Sequence, residues 1–340
     1  MYISKIETSN FKEKNILITG GAGFIGSNIV KFFQKYCPEA NLFVFDKFRD
    51  EKTFQNGNLQ SFGHFKNLDN FNGQIICGDL KSRSDIEKLF DNHFDYIFHQ
   101  AAISDTTVYD QNIVMETNLN SFKGFIDYAS KKKVTLVYAS SAATYGMVKA
   151  PQRVGIEEPD NPYGFSKLMM DRMSTAYMKN YPDLNIFGLR YFNVYGPGEF
   201  FKNRTASVIL QIALKLLNNE SPLLFKGSEN YLRDFIYIDD VVQANILAAL
   251  SKNSGIYNVG YGKSRSFQDL SDICQEVFNT NIQNKYIENN LASYQSYTKA
   301  DISSTIDRLG YQPMFSLEDG IKEYASHIVE LNNSLKTNIL

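Results

Sequence analysis

The stretch Ile16-Leu17-Ile18-Thr19-Gly20-Gly21-Ala22-Gly23-Phe24-Ile25-Gly26-Ser27 limits what this chain can fold into more than any other. An apolar run enters a turn with glycines at 20, 23 and 26, and a helical pattern leaves it. Gly20 permits the tight turn, Gly23 lets the backbone approach a pyrophosphate, and Gly26 lets helix and strand pack closely. The helix start at Phe24 and Ile25 then offers free N–H groups and a positive dipole end to phosphate. A glycine-rich turn alone is a weak signal, because a plain structural turn reads the same way. Context decides it. A second apolar run ends at Asp46, twenty residues after Gly26, where an acidic side chain meets an adenosine ribose.

The rest of the N-terminal half fits that beginning. Ile16–Ile18, Leu42–Phe45, Ile75–Cys77, Tyr96–Phe98, Thr135–Tyr138 and Ile186–Leu189 are short apolar runs bounded by polar residues or glycine. Such runs fit strands of a parallel sheet buried on both faces. Between them Phe24–Tyr36, Ile113–Tyr128 and Tyr163–Tyr177 repeat apolar residues at helical spacing. The alternation predicts an α/β fold, a Rossmann-type doubly wound parallel sheet with right-handed crossovers.

After about Tyr191 the rhythm changes. Helices are expected over Ala206–Leu217, Asp239–Leu250 and Phe267–Phe278, with short strands at Leu223–Phe225, Phe235–Ile238 and Ile256–Val259. This reads as a smaller mixed α/β C-terminal lobe. The expected division is a dinucleotide-binding domain over 1–192, a substrate lobe over 193–331 and a frayed tail over 332–340. Residues 1–14 form an N-terminal extension, and the cleft between the two parts is the default substrate site.

Composition removes several partner classes. A formal charge of -2 gives no electrostatic reason to expect nucleic acid or an acidic membrane. Lys131, Lys132 and Lys133 follow an apolar helical stretch, where cations complement the helix carboxyl end. Cys37, Cys77 and Cys274 form neither a CxxC pair nor a disulfide framework, so no metal is expected and each is read as a small packed residue. No signal-peptide core or membrane-length apolar window is present, and a cytoplasmic location is expected.

Further signals follow the strands. Asp79-Leu80 comes after the third, where a carboxylate can meet an adenine amino group. His99-Gln100-Ala101-Ala102 comes after the fourth, where small residues let the chain pass under a cofactor. Lys47, Arg49 and Lys52 crowd Asp46 and could hold a 2′-phosphate, so the sequence favours NADP, with NAD open.

Tyr163-Gly164-Phe165-Ser166-Lys167 places a phenol and an ammonium on one helix face. A phenol with the usual value of about 10 is a poor base at neutral pH. A nearby Lys and an oxidised nicotinamide favour the phenolate, a stabilisation of about 4 kcal/mol if it is to ionise near pH 7. The phenolate then removes a hydroxyl proton as hydride leaves the adjacent carbon.

The pattern occurs three times in this chain. Tyr128–Lys132 falls at a helix end before a strand, on the wrong side of the sheet, and Tyr145–Lys149 sits in a loop heading into Pro151. Only Tyr163–Lys167 opens a helix near the rim reached by Ser140-Ser141-Ala142-Ala143-Thr144-Tyr145-Gly146. By spacing to Tyr145-Gly146, Ser141 rather than Ser140 is expected to hydrogen-bond the reacting oxygen.

Together these residues resemble the extended short-chain dehydrogenase/reductase superfamily over nearly the whole chain. Within it, TGGAGFIGSN, YASSAATYG, NPYGFSK, LRYFNVYGPGEF, FKGSENYLRDFIYIDDV and GIYNVG are most similar to the ADP-L-glycero-D-manno-heptose 6-epimerase family. That resemblance implies an isomerase that inverts carbon 6 of an ADP-linked heptose used in the lipopolysaccharide inner core. It does so by oxidation to a 6-ketone with NADP and return of hydride to the other face.

The resemblance further implies a second acid/base group at Lys202, which would otherwise read as a surface loop lysine. It places Asn193, Val194 and Ser104 beside the sugar, and Phe225, Lys226, Gly227, Ser228, Arg233 and Tyr294 around the ADP. Asn118, Lys66 and Ser104 are given to the cofactor, and Arg204 and Gln211 to the substrate. The family also suggests a homo-oligomer, a pentamer among the options. Three departures fall on the nucleotide-sugar side: Gly198 for an Arg, Arg204 at a small polar position and Gln211 for a His.

Other readings stay open. One is a different nucleotide-sugar epimerase, such as a 4-epimerase of a UDP-hexose or an enzyme of GDP-sugars. Another is an NAD(P)-sensing protein without turnover, which could tolerate loss of Tyr163 or Lys167. A 4,6-dehydratase fits less well, because Ala142-Ala143 occupies the place of its acidic pair.

Overall fold

A computed structural model describes residues 6–289 and 295–337. Its centre is a sheet of seven strands, all parallel: β1 (Asn15–Thr19), β2 (Asn41–Asp46), β3 (Gln74–Cys77), β4 (Tyr96–His99), β5 (Thr135–Ser141), β6 (Ile186–Tyr191) and β10 (Gly255–Val259). The spatial order is β3-β2-β1-β4-β5-β6-β10. The chain therefore winds outward in both directions from β1, and the strand order reverses between β1 and β4. That reversal opens a crevice at the carboxyl ends, where such sheets bind ligands. This is the Rossmann-type α/β architecture expected from the periodicities.

β1, β5 and β6 are buried along nearly their whole length, which is why they read as continuous apolar runs. The helices α1 (Phe24–Tyr36), α4 (Ser121–Lys132) and α5 (Pro162–Asn180) cover the sheet. Gln111–Val114 (α3) enters α4 through one wide turn at Met115–Asn120. α4 ends as expected: Lys131 and Lys132 occupy its last turn, and Lys133 caps it in the left-handed region at φ 57°. α5 opens on a side-chain cap, with Asn161 accepting from the Gly164 amide and Pro162 at the first helical position.

The smaller lobe contains β7 (Asn193–Tyr195), α6 (Val208–Leu217), β8 (Leu223–Phe225), β9 (Leu232–Tyr237), β11 (Ser264–Ser266), α8 (Phe267–Val277), β12 (Lys285–Ile287), α9 (Ser303–Leu309) and α10 (Leu317–Lys336). β11-β9-β7 make one small sheet and β12-β8 another.

Four features depart from the sequence reading. β10, expected in the smaller lobe, extends the main sheet by pairing with β6, and α7 (Ile238–Leu250) packs against β5 and β6. The helix α2 (Arg83–Leu89) had no legible apolar stripe, and only Leu89 of it is buried. α10 runs on to Lys336, past the expected start of the tail at Asn332, because Asn332 is buried and bonded to Asn218. Cys37 and Cys274 are buried as expected, but Cys77 at the end of β3 is exposed. β3 is an outer strand with mostly exposed residues, so nothing covers that thiol.

Residues ahead of β1 pack against the core. Phe11 is fully buried, edge-on to Phe33 of α1 and Tyr96 of β4 at 5.1 and 4.8 Å between ring centroids.

Candidate active site

A cleft of about 690 Å³ runs along the carboxyl edge of the main sheet. Its floor is the glycine turn. Gly20 has φ 66° and a Cβ there would lie 2.8 Å from the Ala101 nitrogen, while one at Gly26 would lie 2.2 Å from the Gly20 carbonyl oxygen. The turn can therefore be built only with glycine, and it leaves a backbone cradle at the start of α1. Gly23, Phe24 and Ile25 line the cleft there. This is the shape that a dinucleotide pyrophosphate requires.

The end of the groove expected to take an adenosine is lined by Asp46, Lys47, Asp79 and Leu80. Asp46 is buried and accepts from the backbone amides of Ala22 at 2.9 Å and Phe48 at 2.8 Å, so each oxygen already holds a turn in place. Burial pushes its carboxyl up, and the two amides oppose this. Lys47 pairs with Asp79 at 3.2 Å. Arg49 turns away to the Phe201 carbonyl, and Lys52 lies exposed 4.0 Å from Asp50. Gln100, Ala101, Ala102 and Ser104 line the middle of the cleft.

Tyr163 and Lys167 project from the first turns of α5 into the same cleft, opposite Ser141 at the end of β5. The Lys167 ammonium donates to the Ala139 carbonyl at 2.7 Å and lies 5.9 Å from the Tyr163 ring centre. Burial lowers Lys167 to about 8, with the Asp171 charge opposing. Burial raises the Tyr163 phenol, and a hydrogen bond with the Ser141 side chain pulls it back. Ser141 also accepts from the Ala143 amide at 3.1 Å, which fixes its rotamer. The neighbouring Ser140 points the other way, to Asp171 at 2.9 Å. β-strand alternation thus separates the two serines that sequence spacing alone had to choose between.

The tyrosines of the other two Tyr-x-x-x-Lys pairs are tied into the fold. The Tyr128 hydroxyl donates to the Asn92 carbonyl and accepts from the Phe94 amide, while the Tyr145 hydroxyl donates to Asn258 at 2.6 Å. His99 is buried between Thr19 and the rings of Phe122 and Phe125, and burial lowers it to about 3, so it is a neutral core residue.

Lys202 comes from a different part of the chain, a short helical turn over Phe200–Thr205. It lines the cleft with its ammonium 5.6 Å from the Phe24 ring centre. Burial lowers its pKa, and Glu199 opposes. Glu199 is buried and holds the turn by accepting from the Gly196 amide at 3.1 Å and from the Ser207 amide and hydroxyl at 2.5 and 2.8 Å. Asn193, Val194 and Arg233 complete this wall. Arg233 donates to the Leu232 carbonyl and lies 5.7 Å over the Phe267 ring.

The remaining expected residues lie elsewhere. Asn118 is buried beneath the cleft, bonded to the Ile103 backbone and to Ser166. Arg204 and Gln211 are exposed, and Gln211 donates to the Ala206 carbonyl. Phe225 ends β8 and Lys226, Gly227 and Ser228 follow it, all outside the cleft lining, with Lys226 paired to Glu288. Lys66 sits in the Phe65–Leu68 turn, and Tyr294 falls outside the described residues. Gly198 has φ 95°, a conformation an arginine would adopt only under strain, and its carbonyl accepts from Asn67 at 3.2 Å.

Within the loop between β2 and β3, the stretch from Phe54 to Gly63 carried no expectation. Phe54 and residues 59–63 line the cleft, and the loop is tied across it by Asn56 and Asn58, which donate to Asp105 at 3.0 and 2.7 Å. The signal that marks this stretch is the turn Asn56-Gly57-Asn58.

No helix among the described residues is long and apolar enough to cross a membrane, and no group of three His, Cys, Asp or Glu among them could hold a metal. A model of the NAD dependent epimerase/dehydratase family matches residues 16–260. The Helicobacter pylori ADP-L-glycero-D-manno-heptose-6-epimerase structure is similar at 45% identity and a TM-score of 0.87, covering 95% of this chain and 98% of that one. The UDP-N-acetylglucosamine 4-epimerase of Methanobrevibacter ruminantium is similar at 30% identity and a TM-score of 0.83, covering 94% and 99%. The Thermus thermophilus UDP-glucose 4-epimerase in complex with NAD is similar at 26% identity and 0.77, covering 93% and 99%.

Proposed function

As the chain belongs to the NAD dependent epimerase/dehydratase family, we propose that it inverts carbon 6 of ADP-D-glycero-D-manno-heptose to give ADP-L-glycero-D-manno-heptose, with NADP as cofactor. The reading rests most on one observation: two ionisable groups, the Tyr163 phenol and the Lys202 ammonium, reach one cleft from different elements. Inversion through a ketone takes a hydroxyl proton and returns one after the carbonyl has been presented by its other face, work that two acid/base groups can divide between them.

The chemistry that a bound nicotinamide supplies is reversible hydride transfer at that carbon. The chain's own groups do the rest. Tyr163 takes the hydroxyl proton, Lys167 holds the phenolate and the cofactor ribose, and Ser141 hydrogen-bonds the reacting oxygen. Once the ketone has turned its other face, Lys202 serves as the second acid/base group. Arg233 meets the diphosphate, and Asn193 and Val194 lie beside the sugar. The choice of an ADP-heptose draws on the 45% identity to the Helicobacter enzyme.

A turnover assay with ADP-D-glycero-D-manno-heptose, resolving the 6-epimers by NMR, tests the proposal. Interconversion without net change in NADP⁺ is the expected result. No conversion, with turnover of a UDP-sugar instead, would move the specificity to a 4-epimerase and to the altered Gly198–Gln211 stretch.

Preference for NADP is supported by Lys47 in the groove wall and by an Asp46 whose oxygens are already engaged. Lys47→Ala is expected to weaken NADPH binding about tenfold and NADH binding far less, the loss of one charge-assisted phosphate contact. Equal weakening of both, measured by nicotinamide fluorescence, would assign NAD.

A further inference from the structure

Behind the cleft lies a cluster of charges, Asp171, Arg190 and Glu157, none of which lines it. Asp171 on α5, two turns beyond Tyr163, accepts from Tyr138 at 2.8 Å, from Ser140 at 2.9 Å and from the Arg190 Nε at 2.8 Å. Arg190 on β6 is buried too, and its Nη1 pairs with Glu157 at 2.5 Å. Glu157 lies in the segment between β5 and α5, and Arg190 also stacks 5.0 Å from the Tyr145 ring centre. A charge chain of this kind costs desolvation, and a hydrophobic replacement of similar volume would often be as stable. Its position therefore calls for an account.

We propose that Asp171 is a positioning residue for the reacting pair, holding the end of β5 in register with α5 and keeping a negative charge one helical turn beyond the Lys167 ammonium. The inference rests on the reading of Tyr163 and Lys167 given above. Tyr138 and Ser140 alternate along β5 with Ala139 and Ser141. Bonds from the first two to Asp171 therefore aim the Ala139 carbonyl at Lys167 and the Ser141 hydroxyl at Tyr163. The ionisable groups around Lys167 are Tyr163 and Asp171 on α5 and His99 at the end of β4. Tyr138 of β5 and Arg190 of β6 stand behind Asp171, and Tyr191 of β6 faces Tyr163. His99 is neutral, which leaves Asp171 as the negative charge that acts on the ammonium.

The test is a titration of NADPH, followed by nicotinamide fluorescence, into wild type, Asp171→Asn and Asp171→Glu from neutral to alkaline pH, together with the pH profile of turnover. Wild-type affinity should fall as Lys167 loses its proton near pH 8. In Asp171→Asn the fall, and the alkaline limb of turnover, should move about one unit to lower pH, because a favourable charge is gone. Asp171→Glu retains the charge and should keep the wild-type limb with reduced turnover. Superposable wild-type and Asp171→Asn profiles overturn the proposal, since a merely structural defect lowers amplitude without moving the limb. If Asp171→Asn does not fold, a displaced limb in Asp171→Glu overturns it equally. A wild type that binds NADPH with this profile yet inverts no nucleotide sugar sinks the functional reading and leaves Asp171 standing.

Discussion

Tyr163→Phe is expected to lower the rate of inversion by about 10³-fold and leave cofactor affinity unchanged. The substitution removes one oxygen whose partner is the Ser141 side chain, and it keeps the buried ring. Lys167 retains its bond to the Ala139 carbonyl, so the cofactor side of the site is untouched. The whole loss should appear in turnover, with KM for the nucleotide sugar little altered, as expected of a group that acts in the transition state. Steady-state kinetics with direct cofactor titration separates the two. Full activity in the variant would remove Tyr163 from the reaction altogether.

The second large effect is expected at Lys202. Lys202→Met keeps an unbranched apolar side chain and deletes the ammonium that lies over the Phe24 ring, while Glu199 retains its bonds to Gly196 and Ser207. Inversion should fall by about 10²-fold or more, the usual contribution of one positioned acid/base group. The two losses should differ in kind. With Tyr163 in place, one face is still served, so reduced nicotinamide should form in a single turnover while the opposite epimer fails to accumulate. Wild-type inversion in Lys202→Met would return this lysine to a role on the surface. Loss of both the absorbance change and inversion would instead place Lys202 in cofactor binding, beside the start of α1 that it overlies.

How far the site was legible depended on how local each part was. The glycine cradle spans consecutive residues from Ile16 to Ser27; the positive φ of Gly20 and the clashes a Cβ would meet at Gly26 arise within the turn, whereas those at Gly20 come from Gln100 and Ala101 after β4. Tyr163 and Lys167 are one helical turn apart, so their common face follows from backbone geometry alone. Ser141 was legible only by spacing. The structure adds the reason, since alternation along β5 turns Ser140 to Asp171 and Ser141 to the cleft.

The doubly wound sheet, the glycine turn and the common face of Tyr163 and Lys167 could be read along the chain, because strand–helix alternation, glycine φ values and i,i+4 spacing are properties of short stretches. Only the tertiary structure decided that β10 joins the main sheet rather than the smaller lobe, since an apolar run carries no record of which strand edge it will meet. The same holds for the β2–β3 loop tied over the groove by Asp105, and for Arg190 uniting Asp171 with Glu157. These contacts join residues distant in sequence, and a buried charge is worth having only where its partner arrives. That arrival is a property of the packed fold.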